Sequence, residues 1–560
     1  MFFIRLPRIF TFGATSWALH KLPLRGFAMN YRAVTSHRTP NLKQFIPKRF
    51  QLKSNKFLIK HYPTVFFYFG ESLMNSKFWL VLTFTLSCMF CHIHSDDYYY
   101  DQDNQYYAQE PCEPAQDYPQ DCENNQASDD TTPKRRALPP PFDSPPFPSG
   151  EYQGSPLVGV PPDDTIYPLM NSFYETYKDT CFGEALKRSR IKAYGWFNVS
   201  GNVSNCKHSN SPFSYWLVPN TLALDQFVFR LERQLDSVQT DHIDWGFRST
   251  YLYGLDYRYM NSGGWTSQQL LHYNKLYGYD FTEQYLELYF PNVSQGMIVR
   301  VGRWIACPDI ETQFAPDNYM GSHSILFTFD TYTQTGILFT IMLNKNWTIQ
   351  AALHAGTDMA PWYPGATPTG MFGVRWVASD NNDSVYLVLN AINAAKFRRF
   401  SYFGQPAGHD NFNYIVGTWQ HKFNHVCNTK TEAYFMWQRD SVVGGTVSIG
   451  PVRSFGGGGG IGADIPGTTL TFGVVNYTMF ELSKKSFITV RNEYWRDVDG
   501  ERSGFPGTYT SNAIGLSYNI TEILQIRPEI GYYRNWTNPA FDLGKKKGML
   551  LFACDMTLRY

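Results

Sequence analysis

A chain of 560 residues has room for several domains or for one large sheet with appendages, and 17% aromatics at a mean hydropathy of −0.35 suit a sheet with one oily and one wet face. No self-similarity of about 20–50 residues is visible, which argues against a solenoid or a propeller. The net charge of +1 hides an asymmetry: residues 1–95 hold 13 of the 49 Lys/Arg and one of the 48 Asp/Glu, leaving 36 bases against 47 acids, a net of −11 that argues against nucleic acid as a partner.

Residues 1–73 carry twelve Lys/Arg and a single acid, Glu71, and read as an upstream extension outside the mature protein. An organellar transit peptide is the competing reading, since the stretch is Arg-rich and acid-poor. From Met74 the anatomy is that of an export signal over 74–95. Asn75–Lys77 is a short positive region, Phe78–Phe90 an apolar core, and Ser95 a small residue before the acidic run DDYYYDQD. That core is too short to cross a membrane as a helix. Cys88–His92 (CMFCH) matches a haem-attachment pattern but falls in the segment to be cleaved. Residues 96–165 are acidic and Tyr/Pro-rich with few aliphatics, so a disordered linker is expected there. A short pre-barrel segment at 166–190 shows helical spacing.

From Ile191 to Tyr560 the pattern changes to alternating segments of about ten residues. In the first, Phe197 and Val199 share one face while Lys192, Tyr194, Trp196 and Asn198 share the other. QFVFRLE (226–232) sets Phe227, Phe229 and Leu231 against Gln226, Arg230 and Glu232; SFITVRNEYW and ILQIRPEIGYY keep Arg491/Glu493 and Arg527/Glu529 on one face. Charge confined to one face of strand after strand is what a membrane barrel with a wet lumen requires. A soluble sandwich would explain the alternation but not that confinement.

Short connections such as Pro291–Gln295 and Asn344–Asn346 alternate with long ones such as Gly254–Asp280 and Ala306–Gln334. Seven short and eight long connections predict a closed antiparallel transmembrane β-barrel of sixteen strands (sixteen to eighteen), with short periplasmic turns and long outer loops. The last segment, Met549–Tyr560, has an oily face of Phe552, Met556, Leu558 and the terminal Tyr560. As a free edge it would be an aggregation hazard, so it is expected to close the barrel against Ile191–Gly201 and to face outer-membrane lipid. Its terminal aromatic is the ending that barrel-assembly machinery reads. The topology puts Cys554 on the lipid face, unpaired, with Cys181 and Cys427 on the periplasmic side and Cys206 and Cys307 on the outer side.

YLELYFPNVSQGMIVRVGRW (285–304), YTQTGILFTIMLNKNWTIQAALHAGTD (332–358), ITVRNEYWRDVDGERSGFPGTY and LQIRPEIGYY resemble the putative β-barrel porin-2 family, the OmpL-like outer-membrane porins, over roughly 190–560. The resemblance implies a bacterial outer-membrane porin, exported through the secretory pathway, that passes small hydrophilic solutes or ions by passive diffusion. A homotrimer is left open as its assembly. The acidic lead before the barrel and the Gly-rich stretch RSFGGGGGIGADIPG depart from the family.

The third long loop, 306–334, resembles the inward loop of general porins in position and acidity. Its Asp309, Glu311 and Asp317 are expected to face Arg230, Arg248 and Arg300, with Arg375 further round, across the narrowest point of the lumen. Acids opposing bases across a pore set up a transverse field that selects solutes by charge. Plain salt bridges on a wide wall are the competing reading. No G-x-S-x-G elbow or H-E-x-x-H site occurs, so no catalytic residue, metal or cofactor is expected. An adhesin or structural surface barrel without an open channel is the alternative function.

Overall fold

The computed structural model describes residues 157–560 except 164, 214, 261, 272, 274, 307–309, 365, 381, 394–400, 403–404, 407–411, 425, 445–453, 456–458 and 461–462. The expected extension and export signal lie outside the described residues, as does most of the expected linker.

Sixteen strands close into one antiparallel barrel: β1 Lys192–Ser204, β2 Leu222–Arg233, β3 Asp244–Gly254, β4 Gly278–Phe290, β5 Met297–Ile305, β6 Thr333–Met342, β7 Trp347–His354 and β8 Thr369–Val377. The second half is β9 Asp383–Asn393, β10 Phe412–Lys422, β11 Cys427–Val442, β12 Asp464–Ser483, β13 Ser486–Asp497, β14 Gly507–Asn519, β15 Leu524–Asn535 and β16 Gly548–Arg559. Each strand pairs with the next, and β16 returns to β1 in a ladder from Trp196↔Arg559 to Ser204↔Leu551. Tyr560 extends this seam, its N–H donating to the Gly195 carbonyl at 2.9 Å and its carbonyl accepting from the Gly195 N–H at 3.1 Å.

Period-2 alternation decides which way each side chain points. In β4, Leu286 is 64% exposed while its neighbours Tyr285 and Glu287 are 5% and 7% exposed. Phe552, Met556 and Leu558 are likewise outward, whereas Asp555 and Thr557 are buried inside. An outer surface of Phe, Leu, Val and Trp is stable only against hydrocarbon, and closure leaves no unpaired edge there. No described helix is long and apolar enough to cross a membrane; the crossing elements are strands.

Seven connections lie at the end where β1 starts and β16 ends, running from two residues (484–485) to ten (234–243). The eight at the other end run from nine (498–506) to twenty-seven (306–332). Cys554 faces outward and is free, as are Cys181 and Cys206, while Cys427 is disulfide-bonded; Cys307 lies outside the described residues.

Two helices precede the barrel, α1 Pro168–Tyr177 and α2 Cys181–Ser189. Thr180 separates them: its hydroxyl accepts the Gly183 N–H at 3.1 Å and caps α2, so the 166–190 pattern folds as two helices. Residues 157–163, an N-terminal strap, fall in the segment expected to be unstructured, yet they are packed. Val158 is buried among Leu235, Tyr289, Ile298 and Met342 at the short-turn end of the barrel. Ser237 Oγ accepts from Gly159 N at 3.1 Å, and Gln234 Oε1 accepts from Asp163 N at 2.7 Å. The reason is local: Leu157, Val158 and Val160 are aliphatic in a stretch otherwise too polar and proline-rich to bury.

Candidate functional site

The inner wall of β2–β5 carries a ladder of arginines and glutamates placed by strand register. Glu232 stands opposite Arg248, Thr250 opposite both Arg230 and Glu283, and Glu287 opposite Arg300. Directly paired residues on one face are within side-chain reach, and the ion pairs follow. Arg230 Nη2 lies 2.8 Å from Glu283 Oε2, Arg248 Nε 2.7 Å from Glu232 Oε2, and Arg300 Nε 2.7 Å from Glu287 Oε1. The Arg300 guanidinium also lies 3.9 Å over the Tyr285 ring. These arginines therefore meet wall glutamates, where loop acids were expected. Arg375, on β8, donates to Ser384 Oγ at 3.3 Å.

The loop between β5 and β6, loop 3 (306–332), is buried along nearly all its described length. Its main chain is held by charged side chains of the opposite wall. Arg527 donates to the carbonyls of Ala315 and Asn318 at 2.7 and 2.9 Å, and Arg491 to that of Ser322 at 3.1 Å. Glu493 accepts the N–H groups of Ile325 and Leu326 at 3.0 and 2.5 Å; Glu529 accepts Ser322 N at 3.1 Å, and Glu432 accepts Ile310 N at 2.8 Å. Gly321 permits a close approach: a Cβ there would sit 2.8 Å from Asp555 Oδ1 and from the Trp216 ring. Charged groups satisfying main-chain donors and acceptors make the stronger class of hydrogen bond, so this is a tightly held loop.

The predicted acids occupy three different places. Asp309 lies outside the described residues. Glu311 has other partners: it accepts from Tyr477 OH at 2.5 Å and from Ser324 N at 2.8 Å. Burial raises its pKa above the usual range, against the pull of Arg491. Asp317 reaches the ladder. It lines a cavity of about 520 Å³ with Arg230, Arg248 and Arg559, floored by Val160 and Asp163 of the N-terminal strap. Burial raises the Asp317 pKa, and Arg230, Arg559 and Arg248 are the cations that oppose the rise.

Beside Glu311, His323 is buried with its ring stacked on Tyr215 at 3.8 Å and on Phe327 at 4.5 Å. Burial, and after it Arg491 and Arg527, hold its pKa well below the ordinary value. Arg491, Glu493, Arg527 and Glu529 were absent from the predicted site, though the sequence did mark them: R-x-E recurs on two strands, and positions two apart share a face.

The sequence profile of a family described as Putative beta-barrel porin-2, OmpL-like matches residues 191–559. No curated protein matches the chain. Among solved structures, the chain is similar to an anion-selective porin from Comamonas acidovorans at 10% identity and TM-score 0.42, over 66% of this chain and 99% of that one. It is also similar to OprB of Pseudomonas putida, at 11% identity and TM-score 0.39, over 68% and 96%. Outer-membrane expressed OmpT of Vibrio cholerae is a third, at 10% identity and TM-score 0.37, over 66% and 97%.

Proposed function

We propose that this chain, which belongs to the Putative beta-barrel porin-2, OmpL-like family, lets small hydrophilic solutes or ions diffuse passively through a water-filled lumen narrowed by loop 3. The observation that carries the reading is the tethering of loop 3 to inward side chains of β11, β13, β15 and β16. A loop free in solvent has no use for that set of buried charges. Since Arg230, Arg248 and Arg300 are neutralised by wall glutamates, the free field at the narrowest point comes from Asp317 facing Arg559.

Planar-bilayer recording tests this. The wild-type protein should give steady ohmic current steps, and excising Thr312–Ser322 should raise the unit conductance without loss of the folded barrel, because the loop carries no ladder hydrogen bonds. Asp317→Asn should move the reversal potential in a KCl gradient toward anions, since it leaves guanidinium charge unopposed behind a low-dielectric wall. The shift should fade with salt, as the Debye length falls from about 30 Å at 0.01 M to about 3 Å at 1 M. A wild-type protein that inserts but never conducts would transfer the assignment to an adhesin or structural barrel.

A further inference from the structure

Midway along β1 and near the outer end of β2 the pairing slips: Asn198 faces Gln226 while Val199 faces Leu224, so Asp225 is the extra residue of a β-bulge. Bulges re-aim side chains, and here two consecutive residues, Asp225 and Gln226, are both buried inside. Both carboxylate oxygens of Asp225 are buried without a hydrogen-bond partner. Gln226 is fully engaged: its Nε2 donates to Asp256 Oδ2 at 2.9 Å and to the Gln313 carbonyl at 2.6 Å, and its Oε1 accepts from Trp196 Nε1 and Ala315 N. That one amide brings together the β2 bulge, the short helical turn Leu255–Arg258 of the second long loop, and loop 3.

Around it the polar groups do not balance. Asp256 Oδ1, both side-chain atoms of Gln313 and Ser200 Oγ are buried and unpartnered; the Ser200 hydroxyl reaches toward the Asp225 carboxylate but outside hydrogen-bond geometry. Asp225 and Asp555, both acids, are the charges that bear on Asp256. Asp555 is already paired with Arg527. Two carboxylates cannot both be ionised in so dry a place without a counter-charge, and unpartnered buried oxygens call for an ion or a water.

We propose that Asp225 and Asp256, with the Ser200 hydroxyl and the Gln313 side-chain oxygen, form a binding site for a hard divalent cation of the Ca²⁺ type that staples the second long loop and loop 3 to the barrel wall. The donors are oxygen throughout, and Ca²⁺ accepts irregular sets of carboxylate, amide and hydroxyl oxygens, completing its shell with water. A shared proton would satisfy only two of the three free carboxylate oxygens, and it would leave Ser200 and Gln313 as they are.

The test uses full-length protein purified in detergent free of lipopolysaccharide, at neutral pH. Millimolar CaCl₂ should raise the gel-monitored unfolding temperature relative to EDTA, and calorimetric titration with CaCl₂ should show one site. Asp225→Asn and Asp256→Asn are isosteric and relieve charge repulsion, so both should fold, and each should lose the Ca²⁺-dependent shift. Asp380→Asn, in an exposed turn, should keep it. No effect of Ca²⁺ or Mg²⁺ on the wild type overturns the proposal. So does a shift that survives in both Asn variants, or a wild type whose stability responds to acid but not to the cation, the mark of a shared proton.

Discussion

Glu493 accepts two consecutive main-chain N–H groups of loop 3 and the hydroxyl of Ser511, so one carboxylate serves three donors. Glu493→Gln replaces an acceptor-only group with one that must also donate, and it should weaken loop docking by roughly 1–3 kcal/mol, the cost of a buried group left unsatisfied. Faster protease cleavage within 310–332 and noisier channel currents would report it; unchanged cleavage would mean that the other anchors suffice. His323 supplies a pH test. Its folded-state pKa lies below the unfolded value of about 6.5, so the unfolded loop binds more protons and docking is lost as pH falls below that value. Glu311, whose Oε1 is 3.7 Å from His323 Nδ1, has a raised pKa and contributes the opposite slope. The His323 share is therefore read by difference: His323→Phe keeps the stacking and should blunt acid-induced undocking, measured by proteolysis between pH 7 and 5. At this scale the sequence was half legible. Inward arginines could be read from alternation, but their partners could not, because cross-strand register supplies Glu232, Glu283 and Glu287 and no single strand reveals it.

The strap and loop 3 are the elements that depart from the barrel, and each was legible to a different degree. Loop 3 stood out by length and by position after the fifth strand. Its anchors did not, since they come from strands more than 100 residues away: Ile310 to Glu432 spans 122 positions and Ser322 to Glu529 spans 207. The strap was hidden because its aliphatic residues are diluted among prolines and acids, and composition alone assigns such a stretch to a linker. Val158→Asp should expel the strap, because an unpaired carboxylate would stand among Leu235, Tyr289, Ile298 and Met342. Unit conductance should rise, with the folded barrel unchanged by heat-modifiable migration. A variant with wild-type conductance would show that the strap does not limit flow.

On the scale of the whole molecule, the rhythm of strands and connections was nearly all legible, since a period of two and the switch between short and long connections survive without tertiary information. We expect the mature protein to begin near Asp96; N-terminal sequencing of outer-membrane material checks this, and a start before Met74 would defeat the export-signal reading. Deleting Leu558–Tyr560 should abolish assembly: it removes the register pairs of Phe197 and Trp196 and the Gly195–Tyr560 hydrogen bonds, leaving backbone groups unpaired in lipid at several kcal/mol each. Persistence of the heat-modifiable band after truncation would count against closure by this seam. The seam also has a history in time. Every other ladder joins strands adjacent in sequence, whereas β1 meets β16 across some 357 positions, as between Asn198 and Asp555. Contacts between distant residues form late, because a long chain must be gathered first. Loop 3 shares in this order, since its anchors Arg491, Glu493, Arg527 and Glu529 belong to the late strands β13 and β15 and Arg559 to β16 itself. A barrel still open at the seam can hold the loop through the earlier strands, but its last anchor, Arg559 on the Pro316 carbonyl, arrives with the closing strand.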